Sequence, residues 1–324
     1  MGALLIRKLL FGLLAMFVAL SASFFFFGAK YPPLRGTSLE HAYWVWLRGL
    51  PSGRSLSQGL LEPHLLSLVG VAFGRTMLLL ALTLVIEVAI AVPVACLAAA
   101  NRGSPLDFML RFGIYVAWAV PGFVIAILLQ EGFGRIPGGW GTGWFPSVGW
   151  AGNCPNGQGI DSRTFQCPTA GHGVVHVGQV IYHLALPALA LALGFIGVHA
   201  RYLRHSILDV LDEPHVMVAR GKGLSERAVL LRHGVRNALV AFVPALLSDL
   251  GLLFGAALAV DYIFQLGGLG TYFINLLKLN ADGLVPVDTY AVVFALLLGA
   301  AVMLTASLLG EVAVALLDPR VRSD

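Results

Sequence analysis

The feature that most constrains this chain is its succession of long apolar segments divided by short charged ones. Six stretches, roughly Leu9–Phe27, Arg75–Ala100, Arg111–Leu129, Val180–Val198, Asn237–Phe264 and Thr289–Leu317, come to the ~20 residues with which a helix crosses about 30 Å of hydrocarbon. Lipid offers the backbone no hydrogen-bond partners, so each N–H and C=O must be satisfied within its own segment. The pattern predicts an all-α integral membrane protein with six transmembrane helices. Composition agrees: 12% of residues are charged, 58% are hydrophobic and the mean hydropathy is +0.83. Arg7 and Lys8 precede the first stretch as in a signal peptide, but its apolar run is too long and no A-x-A-like site follows. It is expected to be an uncleaved first span.

Positive charge sets the expected orientation. With the N-terminus inside, the inner segments hold thirteen of the 21 Lys and Arg residues and the outer ones seven, with Arg75 at a span edge. Both termini are therefore expected in the cytoplasm. The net charge of +4 follows from this topology, and nothing points to nucleic acid. Two long outer segments remain, Gly28–Gly74 with Trp44 and Trp46, and Gln130–Gln179, rich in Gly, Trp and Pro. Their aromatic residues suit headgroup anchoring, and contact with a soluble partner is the sharper reading.

Cys154 and Cys167 lie in the second outer segment. Outside a reducing cytosol they are candidates for a disulfide worth ~3 kcal/mol, with two free thiols as the alternative. Cys96 is read as a small apolar packing residue. His172 and His176 stand four apart with His183 beyond, but the stretch is Gly-rich and is not read as a metal site. Glu87 and Asp249 fall deep within spans, where an ionisable group faces the bundle interior or a wet pathway. Both are candidates for the translocation pathway, against a role as hydrogen-bonded structural residues. Asp261 and Glu311 stand closer to span ends, where snorkelling or interhelical pairing suffices. Pro93, Pro121, Pro187 and Pro244 are expected to kink their helices.

Between the fourth and fifth spans lies the charged stretch Asp212–Arg227. Asp212 is placed to cap a short helix with Pro214 near its start, and Arg220 and Lys222 complement its negative end. Gly223 suits a left-handed stop, and Ser225 suits the cap of the next helix. On these grounds it is either a docking element or an ordinary basic loop. The run from Ala219 to Leu239, with Ala219-Arg220-Gly221-Lys222-Gly223-Leu224-Ser225-Glu226-Arg227 at its head, resembles the cytoplasmic loop of permease subunits in ATP-driven, binding-protein-dependent (ABC) importers. It is most similar to the oligopeptide/dipeptide/nickel branch. His183-Leu184-Ala185-Leu186-Pro187-Ala188-Leu189, Phe264-Gln265-Leu266-Gly267-Gly268-Leu269-Gly270 and Leu316-Leu317-Asp318-Pro319-Arg320-Val321-Arg322 resemble further motifs of that family in the same order. The resemblance runs from about Arg75 to the C-terminus. His215, Met217 and Val218 depart from its usual Tyr, Arg and Thr, Gly267 replaces its usual proline, and the N-terminal Pro-Gly-Asp-Pro signature is absent.

The resemblance implies a type I ABC importer permease fold. Residues 1–74 would form an N-terminal helix with an extracytoplasmic segment, and residues 75–324 a five-helix core with a coupling helix at about 212–224. Glu213, His215, Ala219, Arg220, Lys222, Gly223 and Leu224 would couple it to an ATPase. It further implies a second homologous permease, two cytoplasmic ATPase subunits, an extracytoplasmic substrate-binding protein and residence in the bacterial inner membrane. The chain has no G-x-x-x-x-G-K-[ST] loop, no nucleophile–base set and no helical H-E-x-x-H. It is therefore expected to be no enzyme and to hold no cofactor, with ATP and Mg on the partner ATPases. Peptides are the expected cargo, with nickel chelates, glutathione or glycosides as alternatives in the same branch. From another class, an ion-coupled carrier or channel would use Glu87 and Asp249, and a scaffold would not transport.

Overall fold

The structure, a computed structural model, describes residues 2–30, 38–49, 65–134, 142–150, 177–281 and 289–317. Cys154, Cys167, His172 and His176 lie outside these residues. In chain order the helices are α1 (Gly2–Lys30), α2 (Leu39–Gly49), α3 (Leu65–Ala100), α4 (Pro105–Ala119), α5 (Gly122–Phe133), α6 (Val177–Leu211) and α7 (Pro214–Gly221). There follow α8 (Glu226–Val229), a π-helical turn (Leu230–Val235), α9 (Arg236–Ser248), α10 (Leu250–Phe264), α11 (Leu269–Ala281) and α12 (Thr289–Leu317). Among the described residues there is no strand, only an isolated bridge between Gly134 and Phe145.

The long helices α3 and α6 form the most extensive pair, and small side chains explain why. Ala91, Ala95 and Ala99 of α3 and Ala192 and Ala200 of α6 are buried, and without bulk between them the two backbones approach closely. Larger residues fill the remainder of the core, among them Leu79 and Leu80 from α3, Leu184 and Leu191 from α6, and Leu253, Phe254 and Phe264 from α10. Outside this core α1 packs on α12, and α2 folds back on α1. Trp46 of α2 lies buried against Phe24, with ring centroids 5.1 Å apart, and Ser21 shares a hydrogen bond with Tyr43 at 2.9 Å. Trp44 is exposed, so the two tryptophans have separate roles: one is core and one is surface.

The expected spans need three corrections. The second begins before Arg75, because α3 starts at Leu65 and its apolar stretch able to cross a membrane runs over Val69–Ala100. The third is not one helix. It divides into α4 and α5 at Pro121, which has no N–H to give, and Val120 before it is extended (φ −93°, ψ 122°). The fifth is jointed at Asp249, between α9 and α10, and continues toward the N-terminus through the π-turn into α8. Pro93 and Pro187 are held inside α3 and α6, and Pro244 inside α9, five residues before the joint. By length and composition four helices among the described residues can cross a membrane, or five if α10 and the start of α11, bent by 69°, count as one span. The sixth expected span is α12, 29 residues long, or about 43 Å.

Candidate functional site

The charged module hangs from the end of α6. Its helix α7 opens with Pro214 at the first helical position, where a missing N–H is harmless. The cap position belongs to Glu213, without a side-chain cap bond, and not to Asp212 as the sequence suggested. Asp212 is drawn instead to Arg102 in the α3–α4 turn, at 3.5 Å, because α6 ends one residue earlier. Gly223 does adopt the left-handed conformation, at φ +82°, and Ser225 caps α8 by accepting from the Ala228 N–H. Arg220 folds back onto the module. Its Nε donates to Glu226 Oε1 at 3.0 Å, and its Nη1 to the Leu211 carbonyl at 3.3 Å. It thereby ties together the end of α6, α7 and α8.

His215 Nδ1–H is 2.9 Å from Glu213 Oε2, which leaves Nε2 to accept from Asn237 Nδ2 at 3.4 Å. Of the residues singled out from the sequence, Glu213, His215, Arg220, Lys222 and Gly223 are exposed, Leu224 is half-buried and Ala219 is buried. Val216 and Ala219 form the inner face of α7. The outer face carries Met217 and Val218, 61% and 58% exposed. These two apolar residues were noted in the sequence only as departures from a family pattern. A helix this short that turns Val216 inward must turn its neighbours outward, and that periodicity was the available signal.

A second constellation lies inside the helix bundle. Glu87 of α3, about midway along its span, is 1% exposed and hydrogen-bonded through Oε1 to His199 Nδ1 of α6. The other imidazole nitrogen is 3.3 Å from Asp249 Oδ2, within ion-pair range but off the hydrogen-bond axis. Phe242 meets the imidazole edge-on at 5.9 Å, and Phe195 stacks at 6.5 Å. One imidazole therefore joins the two carboxylates across α3, α6 and the α9–α10 joint. A doubly protonated ring has an N–H for each of them, a neutral ring for only one. Glu87 Oε2 has no hydrogen-bond partner among the described residues. Glu87 faces the interior, while Asp249 keeps about a third of its side chain exposed. The sequence pointed to both acids but missed His199, which sits one residue past the expected end of the fourth span.

Asp261 does not snorkel. It is buried, and its carboxylate accepts the Gly268 N–H at 2.9 Å and the Thr271 N–H at 2.8 Å. The turn between α10 and α11 wraps around it so tightly that a Cβ on Gly268 would lie 2.6 Å from Thr76 Oγ1. Arg75 donates to the Leu266 and Gly267 carbonyls of the same turn and lies over the Trp150 ring at 5.3 Å. His183 Nδ1 is 3.2 Å from the Gly149 carbonyl, a structural use for that ring.

A family model described as binding-protein-dependent transport system inner membrane component matches residues 91–323, which takes in α7, His199, Asp249 and Asp261. The chain belongs to this family of ABC permeases. A Brucella suis protein provisionally named a peptide permease is 29% identical over 256 residues, 79% of this chain and 70% of that one. The oligopeptide transport system permease protein AppB of Bacillus subtilis is 27% identical over 248 residues, 76% and 69% of the two chains. The corresponding OppB of Mycobacterium tuberculosis is 34% identical over 205 residues, 63% and 56%. This permease is thus a multi-pass inner-membrane component of a transport system that works with a binding protein and an ATPase. Membership sets aside the ion-coupled carrier and the scaffold.

Proposed function

We propose that this permease is one of two homologous subunits that enclose the translocation pathway of a peptide importer. Two cytoplasmic ATPase subunits hold the ATP and Mg, and the chain itself is non-catalytic and cofactor-free. The carrying observation is α7. A capped helix with an exposed Met217–Val218 face projects from the end of α6, tied to it by Arg220 and rooted in the bundle core. Closure of the ATPases pushes this helix, and a rigid α6 carries the movement to the span interiors. The reading has Glu213, His215, Lys222 and Leu224 flanking the docking face, both termini cytoplasmic, and Asp249 at the pathway with Glu87 behind it. Peptide cargo is supported by the names of the relatives, which are permeases for peptides or oligopeptides.

The test is reconstitution in proteoliposomes. The complete transporter is expected to hydrolyse ATP faster with peptide-loaded binding protein and to accumulate labelled peptide. The chain alone should do neither. Uptake of nickel chelate, glutathione or glycoside in place of peptide would overturn the cargo, and peptide accumulation by the isolated chain under an ion gradient would overturn the mechanism.

A further inference from the structure

The α9–α10 joint combines a loosened backbone with a side chain whose contact is unfinished. Pro244 has no N–H for the carbonyl one turn before it, and Gly251 has no side chain to stiffen the start of α10. The Ser248 hydroxyl donates to the Ala245 carbonyl at 2.7 Å, an oxygen that also accepts the Asp249 N–H at 3.2 Å. Such back-bonding and such residue pairs bend helices. Asp249 stands between α9 and α10, yet its carboxylate does not cap α10 and reaches toward His199 instead.

The imidazole that Asp249 faces is fixed. Glu87 of α3 holds His199 Nδ1, Phe195 of α6 stacks on the ring at 6.5 Å, and Phe242 of α9 meets its edge at 5.9 Å. Nε2 is buried and has no hydrogen-bond partner among the described residues, although Asp249 Oδ2 is 3.3 Å away. The separation comes close to that of a hydrogen bond; the direction does not. A buried polar atom is less stable so than when bonded. With the ring held on three sides, the adjustment falls to the residue on the looser backbone, and a small rotation at the joint aligns the carboxylate with Nε2. We propose that His199 and Asp249 form a latch on the α9–α10 joint, made in one conformation of the transport cycle and broken in the other. This structure holds the contact half-made. Asp249 keeps about a third of its side chain exposed, so water can receive its carboxylate when the latch opens, whereas buried Glu87 stays with the ring. One helix, α6, carries His199 and ends at α7, so movement of the charged module reaches the latch through a rigid element. The inference rests on membership of the permease family and not on peptide as cargo.

The complete transporter is placed in lipid nanodiscs with spin labels at Ala241→Cys of α9 and Ala259→Cys of α10, both exposed positions, in a permease whose native cysteines are replaced. Along a continuous helix the labels would stand about 27 Å apart, within reach of pulsed dipolar spectroscopy. Distances are read without nucleotide and with ATP and vanadate. Two distances are expected, and nucleotide should change their ratio. Asp249→Ala, which has no acceptor, should move that ratio about fivefold toward the same distance under both conditions, the worth of one net hydrogen bond. Asp249→Asn, whose amide oxygen still accepts from Nε2, should keep the ratio of the protein with Asp249. A single, unchanging distance in the protein with Asp249 overturns the proposal and does not depend on any variant folding. An unmoved ratio in Asp249→Ala makes the contact incidental, and equal ratios in Asp249→Ala and Asp249→Asn assign the effect to charge; either removes the latch.

Discussion

Single side chains in this permease are held by partners that no sequence window contains. Glu87, His199 and Asp249 are 112 and 50 residues apart along the chain and meet at one imidazole. Removing one member of this set leaves a buried polar partner without its hydrogen bond and costs about 1–3 kcal/mol. His199→Ala is therefore expected to destabilise the detergent-solubilised protein by about that amount, seen as a lowered Tm. Asp249→Asn, at the exposed end, should cost less, and equal losses would refute the graded burial. Asp107 behaves differently because it lies outside the spans. Burial pushes its carboxyl up, but the Gly103 N–H and the Arg204 guanidinium, with Arg111, outweigh that and hold it below its ordinary value. A depressed folded pKa gives stability that is complete above the unfolded value, about 3.9, and is lost as pH falls through the lower folded value. Tm should decline as pH is lowered below about 4, and Asp107→Asn, already lacking that stability at neutral pH, should show a shallower decline.

At the scale of elements, two breaks and one turn shape the permease. Pro121 divides α4 from α5, the α9–α10 joint lies at Asp249, and Gly223 ends the charged module after α7. Among the described residues nothing crowds the site of a Cβ at Gly223, so the penalty for a larger residue there is backbone strain, about 1–2 kcal/mol for the left-handed conformation. Gly223→Val should leave insertion intact and lower peptide-stimulated ATP hydrolysis severalfold; unchanged coupling at equal expression would remove the module from the mechanism. Arg220 tests the same element from within. Arg220→Glu should uncouple ATP hydrolysis by releasing α8 from α7, and adding Glu226→Arg should restore part of it, since the pair is internal to the module. If the charge swap rescues nothing, Arg220 acts on the ATPase directly.

For the whole molecule, the arrangement of spans places α7 on the same side as the α3–α4 turn, where Arg102 meets Asp212. A cysteine introduced at Ser225 should be labelled only from the cytoplasm, by a reagent that cannot cross the membrane. Labelling from outside would invert the topology that positive charge predicts. The core itself depends on α3 against α6, so Ala95→Leu should hinder assembly more than an equal increase in bulk at exposed Leu97.

Long apolar stretches and the ordered motifs around Arg220, Pro187 and Asp318 sufficed for the class and the family, whereas the six expected spans stand against four, or five with the bent pair, among the described residues. Those features are local, because hydropathy, proline chemistry and the left-handed preference of Gly223 act within a few residues. The tertiary structure decided the rest. Whether Pro121 breaks a helix while Pro93 and Pro187 stay inside theirs depends on packing, which no propensity encodes. Met217 and Val218 became a surface only once Val216 and Ala219 were committed to the core side of α7. His199 gained its meaning when small alanines let α6 approach α3 and set the ring against Glu87, because a buried polar group is given its role by whatever the fold brings within reach.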